Sequence, residues 1–567
     1  MFAALVAVPE AAVNENDSVI LWENNVGFTG QSLVVHPVAD ASVPEGVTEC
    51  DFRGCVFRPV VGHTDETLFG CHQQEYAFSR KGTDNDLNCY NFVTLIFKQM
   101  DFNYDRTDKW SILEYSKLLL GKTLEQAIAP DVIEARKGKG RLGQLVEEYF
   151  FGYDVNSNPD ADFSDAGLEL KVTPLKELKN KVLAIKERLV CTMIDYDADQ
   201  EKPFEQSHVY LKCAYMLILF YLHEADVPVQ QLLFIYSVLW QIPEKDLLIM
   251  KQDYEKIIGK IRAGKAHELS EGDTTYLGAC RKGQKGDSDV FYKLPDGTRA
   301  EIPAPKRAFS LKTQYMRTIL AFAEKTGGQG TYNTSALVHG YGPHLIEEKE
   351  LREKSFEDIL LDRFKPYYGK TYDELVKELH APTTGAKSKY FLIANEILTE
   401  GETRGEDVTK SDEFIKSGIV IKTIRLNKNG RPAEAMSFEN INYFDILQED
   451  DWYESRLYDI FTGRFLFIVF QEGDDDKVRL QKAFFWTMPV KDLDEAAEYW
   501  LNIKTAVKAN HIAPEYFYRE SDHRKFHVRP KAKNAADVAV NPNGGTAKKY
   551  CYWFNHDYIK AIVEDAK

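Results

Sequence analysis

The chain has 567 residues, of which 44% are hydrophobic and 28% are charged. This balance excludes a disordered chain, and the length predicts about three or four domains of roughly 100–200 residues each. The formal net charge of −17 argues against wholesale non-specific binding to an acidic polymer, although a basic cleft can coexist with an acidic exterior. No apolar run is long enough to span a bilayer and the opening lacks a basic start, so we expect a cytoplasmic protein without a membrane anchor.

The first stretch, residues 1–106, contains several short β-like runs and no functional signal. Half of the eight cysteines lie here: Cys50, Cys55, Cys71 and Cys89. Their spacing fits zinc-ligand patterns poorly, so we predict reduced, buried thiols rather than a metal site. Residues 1–106 are therefore interpreted as an N-terminal extension of unknown role.

The rest of the chain repeats itself. GKTLEQAI at Gly121 returns as GKTYDELV at Gly369, GQLVEEYFFG returns as IANEILTEG, and DFSDAGLELKVT returns as EFIKSGIVIKTI. Because the order and spacing of these pairs agree, we predict two copies of one fold. The first copy spans residues 107–325, a Gly-rich linker spans 326–344, and the second copy spans 345–567.

Each copy begins with helical patterns, continues with β-rich segments and ends with a helix-like tail. The β-rich segments are LELKV and YMLILFYL in the first copy, and IVIKTI and RFLFIVF in the second. This α/β pattern predicts a central mixed sheet flanked by helices in each copy.

The segment DFSDAGLELKV carries the chemistry of the first copy. Strand alternation places Glu169 and Lys171 on one face, which by itself would be an ordinary salt-bridged surface pair. A turn at SDAG can bring the carboxylate of Asp162 beside that of Glu169, and two such carboxylates suit Mg²⁺. The lysine can then orient or deprotonate a water molecule and stabilise charge on phosphorus, as in nucleases that cut phosphodiesters.

Two neighbouring segments add to this pattern. GQLVEEYF, just upstream, offers Glu147 as a third carboxylate. SHVYLKCAYMLILFYL, downstream, places Lys212 at the predicted start of another strand.

The segments KGRLGQLVE, DFSDAGLELKVTP and SHVYLK resemble the MutH family, and the duplication resembles its two-domain restriction endonucleases of the Sau type. The resemblance covers both copies but not residues 1–106. It implies a sheet-centred endonuclease fold and Mg²⁺-dependent cleavage of duplex DNA at GATC. It also implies that Asp162 and Glu169 bind the metal, that Lys171 serves the attacking water, and that Glu147 and Lys212 complete the catalytic set. Asp160 is a rival for the metal aspartate.

The resemblance further implies a set of DNA contacts. In the first copy, Arg281 and Lys282 of ACRKG occupy the loop that reads bases, and a phosphate contact is the alternative role for Lys282. Ser310 stands where MutH has a tyrosine associated with methylation sensing, which disfavours hemimethylation-dependent nicking. In the second copy, RPKAKN supplies Arg529, Lys531 and Lys533.

The second copy has Val420 where Glu169 should recur, although it keeps Glu396, Glu413 and Lys422. An isopropyl group cannot coordinate a cation, so this copy is predicted to have lost metal binding and cleavage. It either binds DNA as an allosteric effector half, in keeping with its basic loop, or merely supports the first copy.

The sequence thus predicts a type II site-specific deoxyribonuclease that leaves 5′-phosphates. We expect a monomer that pairs on DNA, engages two GATC sites at once and acts beside a cognate DNA methyltransferase. The rival functions are a mismatch-repair nicking enzyme and a GATC-binding protein that does not cut.

Overall fold

The computed structural model describes residues 104–128, 141–153, 160–178, 181–282, 289–326, 343–383, 388–401 and 407–566. Before residue 104 it gives the backbone of five strands: β1 Leu5–Val6, β2 Val19–Glu23, β3 Leu33–Val35, β4 Phe57–Val61 and β5 Thr67–Cys71. The side chains of the four early cysteines and most of the predicted linker lie outside the described residues. Cys191, Cys213, Cys280 and Cys551 are free and buried, as expected of reduced thiols.

Two compact units make up the chain, Met1–Ser157 with Glu224–Phe234, and Asn158–His223 with Ile235–Lys567. The smaller unit contains the helices α1 Lys109–Ser116, α2 Leu124–Ala127 and α3 Arg141–Leu145, and the π-helical turn Val146–Phe150. No helix within the described ranges is both long and apolar enough to cross a membrane.

The first half of the larger unit is built on two larger sheets and one two-stranded sheet. Its strands are β6 Glu169–Glu177, β7 Leu183–Ile185, β8 Leu189–Met193, β9 Tyr215–Leu222, β10 Phe234–Gln241, β11 Leu277–Arg281, β12 Asp289–Val290, β13 Ala304–Pro305 and β14 Arg307–Leu311. Its helices are α4 His208–Cys213, α5 Glu244–Arg262 and α6 Thr313–Lys325. One sheet has the order β10-β9-β6-β7 with β6 parallel to β9, and the other has the order β11-β14-β8.

The second half begins with five helices, α7 Glu348–Glu353, α8 Phe356–Phe364, α9 Tyr372–Leu379, α10 Lys389–Leu398 and α11 Asp412–Ser417. The strands are β15 Val420–Leu426, β16 Met436–Asn440, β17 Phe465–Glu472, β18 Val478–Trp486, β19 Phe526–Pro530, β20 Val538–Val540, β21 Thr546–Lys548 and β22 Tyr550–Phe554. The remaining helices are α12 Tyr443–Gln448, α13 Arg456–Phe461, α14 Val490–Lys508 and α15 His556–Asp565. The sheets have the orders β15-β17-β18 and β16-β22-β19, with β15 parallel to β17.

The two halves have similar strand arrangements, except that β7 has no counterpart in the three-stranded sheet of the second half. Each first sheet contains a parallel pair (β6 with β9, β15 with β17), and in each second sheet one strand (β14 or β22) lies between two antiparallel partners. The helices α5 and α14 each have 19 residues and each follow a proline, whose fixed φ suits the entry to a helix. The predicted mixed α/β class with helix-flanked sheets is confirmed.

The hydrophobic core does not stop at the predicted linker. One cluster of buried side chains includes Ile249 and Met316 of the first half together with Leu351 and Ile393 of the second. Strand β17 alternates between two clusters: Leu466, Ile468 and Phe470 face this shared cluster, and Phe465, Phe467 and Val469 face another within the second half. The two halves are therefore packed against one another through a common apolar core.

A buried charge cluster accompanies this packing. The Lys416 ammonium of α11 lies 2.9 Å from a carboxylate oxygen of Asp246 on α5 and 2.6 Å from one of Asp412. The hydroxyl of Tyr315 donates to Asp246 over 2.9 Å. Burial opposes the charge on Lys416, but Asp246 and Asp412 outweigh that effect and raise its pKa.

Replacing Lys416→Met should lower the free energy of unfolding by about 3 kcal/mol, because Asp246 and Asp412 would be left buried without their cation. The measurement is urea unfolding followed by circular dichroism. Lys428→Met is the control, since the pair that Lys428 forms with Asp476 is exposed and should contribute nothing resolvable. Equal midpoints for Lys416→Met and the unmodified protein would contradict the importance of the cluster.

Candidate active site

A short turn brings the predicted metal ligands together. The amide of Phe163 donates to the carbonyl of Leu168 over 2.9 Å, and the amide of Leu168 returns a bond of 3.2 Å. Gly167 closes the turn with a φ of +59°, in the left-handed region that favours glycine. The chain thus doubles back, and Asp162 and Glu169, which flank this pair, become neighbours.

The carboxylates of Asp162 and Glu169 are held by backbone amides as well as by their neighbours. The amide of Asp162 lies 3.3 Å from Oε2 of Glu169, and the amide of Leu170 donates to Oδ2 of Asp162 over 2.9 Å. Glu169 is the first residue of β6, opposite Met216 of the parallel strand β9, and is only 2% exposed. The structure therefore brings the two predicted carboxylates together at the start of a central strand.

Two lysines share the carboxylate of Glu169. Nζ of Lys171 lies 2.6 Å from Oε1 and also donates to the carbonyl of Cys191 over 3.2 Å. Nζ of Lys212 lies 3.3 Å from both carboxylate oxygens. The ordinary alternative of an exposed surface pair does not hold, because the glutamate is buried and both lysines are mostly covered.

Electrostatics at this centre follow from burial. Burial raises the pKa of Asp162, and the neighbouring charge of Glu169 adds to the rise, while Lys171 and Lys212 partly oppose it. For Lys171, burial favours the neutral amine, but the adjacent Glu169 outweighs it, and the pKa is raised. In this state Lys171 therefore holds its proton and acts as a cation.

Other predicted members of the site lie on other elements. The prediction that Lys212 starts a strand is wrong: it lies on α4, which Ser207 caps by accepting from the amide of Tyr210, and β9 follows the helix. Glu147 lies in the π-helical turn of the smaller unit. Asp160, the rival metal aspartate, is exposed.

The predicted DNA contacts of the first half differ in their exposure. Arg281 ends β11, and its guanidinium lies 5.6 Å from the ring centre of Tyr453 in the second half and 3.7 Å from Asp289. Lys282 follows it as the last described residue before the gap at 283–288, and its amide donates to the carbonyl of Lys306. Ser310 is 1% exposed within β14, so the structure does not bring its hydroxyl to a surface that DNA could reach.

In the second half the predicted basic residues lie at the surface, at the end of β19 and directly after it. Arg529 is exposed, stacks on Trp553 at 5.0 Å and lies 3.3 Å from Glu520. Lys531 and Lys533 are exposed as well. These three residues are accessible to a polyanion.

Val420 takes the place of Glu169 in the second half. It is the first residue of β15, opposite Phe465 of the parallel strand, and Gly418 before it has a φ of +62°, as Gly167 has +59°. Glu413 does not turn toward this centre: its carboxylate accepts from the amides of Leu345 and Ile346 and pairs with Lys245 of the first half. Glu396 is buried on α10.

Sequence reasoning missed a second substitution in this half. Helix α13 is capped by Ser455, which accepts from the amide three residues on, just as Ser207 caps α4. Counting from these caps, the position of Lys212 is occupied by Ile460. The signal was available, since SHVYLKC and SRLYDIF align on their serines.

The carboxylate pair offers two of the ligands that a divalent cation needs. Among the residues that the structure describes, no group of three or more His, Cys, Asp or Glu side chains is placed to hold a metal ion. Asp162 and Glu169 nevertheless supply hard oxygen donors, and their crowding, which raises the pKa of Asp162, is the condition that a cation relieves. This pair suits Mg²⁺, which takes few protein ligands and completes its shell with water and phosphate oxygens.

Asp162→Asn should raise the free energy of unfolding of the metal-free protein near pH 8. This increase should become smaller as the pH falls toward about 4. Because folding raises the pKa of Asp162, the folded state binds this proton more tightly and loses stability as pH rises through that pKa. Asparagine keeps an acceptor for the Leu170 amide without the charge. Urea midpoints in EDTA across this range provide the measurement.

Asp165→Asn, which changes an exposed carboxylate in the same turn, is the matched control and should show no such trend. If Asp162→Asn and the unmodified protein shared one pH profile, the raised pKa of Asp162, caused by burial and by the charge of Glu169, would be refuted.

Comparison with known proteins places this geometry in a family. The family model for the DNA mismatch repair enzyme MutH matches residues 151–253, which contain the carboxylate pair and both lysines. MutH proteins of Shewanella amazonensis and Vibrio cholerae are 29% and 27% identical over 37% and 34% of this chain, covering 92% and 83% of their own lengths.

A longer similarity covers both halves. The type II restriction enzyme Sau3AI of Staphylococcus aureus is 31% identical over 494 residues, which is 78% of this chain and 97% of that enzyme. A match of this identity across nearly the whole of a relative shows common membership. The chain belongs to the family of MutH-like type II restriction endonucleases that includes Sau3AI.

Proposed function

We propose that this chain hydrolyses duplex DNA at GATC in a Mg²⁺-dependent reaction and leaves 5′-phosphates. The observation that carries the proposal is the buried cluster of Asp162 and Glu169 with Lys171 and Lys212, in a chain of the Sau3AI family. GATC as the target rests on the likeness of the sequence motifs to those of the MutH family.

The side chains would divide the work as follows. Asp162 and Glu169 would hold Mg²⁺, which when bound activates water and polarises a phosphoryl oxygen. Lys171 holds a proton on Nζ within reach of Glu169 and stabilises negative charge that develops on the phosphate. Lys212 supplies the second positive charge that the two carboxylates require, and burial strengthens each of these interactions. Glu147 is proposed as the third carboxylate.

The second half is proposed to bind DNA without cutting it, as a copy of the same fold over residues 345–567. The similar strand orders, which differ by the extra strand β7, and the left-handed glycines Gly167 and Gly418 support the duplication. Val420 in place of the metal ligand, and the exposed Arg529, Lys531 and Lys533, support binding without cleavage. Base contacts by Arg281 and Lys282 are proposed for the first copy, over residues 107–325.

One cutting centre per chain has a further implication. Cleavage of both strands then takes two chains or two binding events, so we propose a monomer that pairs on DNA and engages two GATC sites. A cognate methyltransferase that protects the host DNA is proposed as its partner in the cytoplasm.

Digestion of unmethylated plasmid DNA, with fragment ends mapped by sequencing, tests the proposed function. We expect double-strand ends confined to GATC in Mg²⁺ and none in EDTA. Nicks that depend on adenine methylation would instead favour the mismatch-repair function suggested by the MutH match. Tight GATC binding without any cleavage would indicate a DNA-binding protein.

Glu169→Gln should lower the cleavage rate at least about a thousandfold, since loss of a metal ligand removes about 4 kcal/mol of transition-state stabilisation. Single-turnover cleavage of a one-site duplex provides the rate. Asp160→Asn is the matched control, because Asp160 is an exposed carboxylate near the same strand and should leave the rate unchanged. A comparable loss in Asp160→Asn would reassign the metal aspartate.

A further inference from the structure

The inactive centre of the second half keeps one lysine in its original position. Nζ of Lys422 on β15 donates to the carbonyl of Ser437 on β16 over 2.8 Å, as Lys171 on β6 donates to the carbonyl of Cys191 on β8. The ammonium also lies 4.9 Å from the ring centre of Phe438. This lysine has therefore stayed in place although the carboxylate that accompanies it in the first half is absent.

The negative charges around this lysine have been removed. Val420 stands where Glu169 would pair with it, and Glu413 is occupied by Lys245 and two backbone amides. In the part of the chain that the structure describes, no ion pair or hydrogen bond joins Lys422 to a carboxylate. Within the described ranges, its ammonium group therefore lacks a carboxylate partner.

A second cation comes to the same place. Nζ of Lys531 lies 3.0 Å from Oγ of Ser437 and 3.0 Å from the carbonyl oxygen of Phe438. Lys422 and Lys531 thus converge on one pair of residues in β16. The pKa of Lys422 is lowered to about 8, mainly because burial disfavours the charged form and then because the charge of Lys531 repels it.

We propose that Lys422 and Lys531 form a phosphate-binding site that takes a backbone phosphate of duplex DNA without a metal ion. This inference rests on the proposed DNA binding of the second half. In the first half, the two negative carboxylates repel a phosphate unless a cation is bound between them. In the second half, Lys422 and Lys531 are positively charged, so an oxyanion can bind them directly. Lys531 is exposed, so a phosphate can enter from solvent, and the anion relieves the repulsion between the ammonium groups.

DNA binding by the full chain in EDTA tests the site, using fluorescence anisotropy of a labelled GATC duplex. Lys422→Met should weaken binding about tenfold and make the dependence on salt shallower by about one counterion, because one phosphate contact is lost. Val420→Glu should weaken it similarly by restoring a carboxylate partner for Lys422. Lys428→Met is the control, since Lys428 pairs with Asp476 on the same half and should leave the affinity unchanged.

The pH dependence of DNA affinity shows whether the positive charge of Lys422, and not only the shape of its side chain, contributes to binding. Lys422 is charged below about pH 8 and loses its proton above it, so affinity should fall between about pH 7 and 9. Lys422→Arg should bind across this range without that fall, because a guanidinium stays charged. Among the described residues, the titratable groups that act on Lys422 are Lys531 and the thiol of Cys551, whose pKa is raised by burial. Glu439 acts on Cys551 and pairs with Arg456.

The outcomes are distinct. Equal affinity and equal salt dependence of Lys422→Met and the unmodified protein would overturn the site, even if the enzyme cuts DNA normally. Absence of cleavage in Mg²⁺ would instead overturn the proposed function. The phosphate site would then be decided by the DNA affinities measured in EDTA alone. If inorganic phosphate raised the thermal midpoint only when Lys422 is present, yet DNA affinity did not depend on Lys422, the site would bind free anions and the assignment to DNA would be wrong.

Discussion

A single buried carboxylate organises the first half of this protein. Glu169 is 2% exposed, and it can remain there because Lys171 and Lys212 approach it from two elements while Asp162 is fixed beside it by a tight turn. Each partner is positioned by a different element: Lys171 by a central parallel strand, Lys212 by a serine-capped helix, and Asp162 by a turn with a left-handed glycine. The strand β6, the helix before β9 and the turn before β6 thus supply the groups that compensate one buried negative charge.

Local patterns allowed the sequence to predict much of this centre. Alternation along LELKV predicted β6, and SDAG predicted the turn that joins Asp162 to Glu169. The helical position of Lys212 was not predicted, because a six-residue helix directly before a strand has too few turns to show a helical period. The burial of Ser310 and the stacking of Arg281 on Tyr453 depend on contacts between distant segments, which no local pattern records.

The two halves differ at a pair of charged positions that contact each other in the first half. Glu169 and Lys212 pair in the first half, and the second half has Val420 and Ile460, two apolar residues, in their places. Loss of one partner alone would strand a buried charge at a cost of about 3–5 kcal/mol, whereas replacement of both by apolar side chains is close to neutral. The lysine that remains, Lys422, keeps a hydrogen bond to a backbone carbonyl, although none of the described residues offers it a carboxylate partner.

The apolar core shared by the two halves has a consequence for the synthesis of the protein. Residues around Ile249 and Met316 are covered partly by side chains such as Leu351 and Ile393, which leave the ribosome later. A chain that is still growing therefore exposes part of this apolar surface until the covering residues have been synthesised, and exposed apolar surface of this kind favours aggregation. An unfinished polypeptide that ends before Leu351 would already contain Asp162, Glu169, Lys171 and Lys212, although part of the core of the same half would still be uncovered.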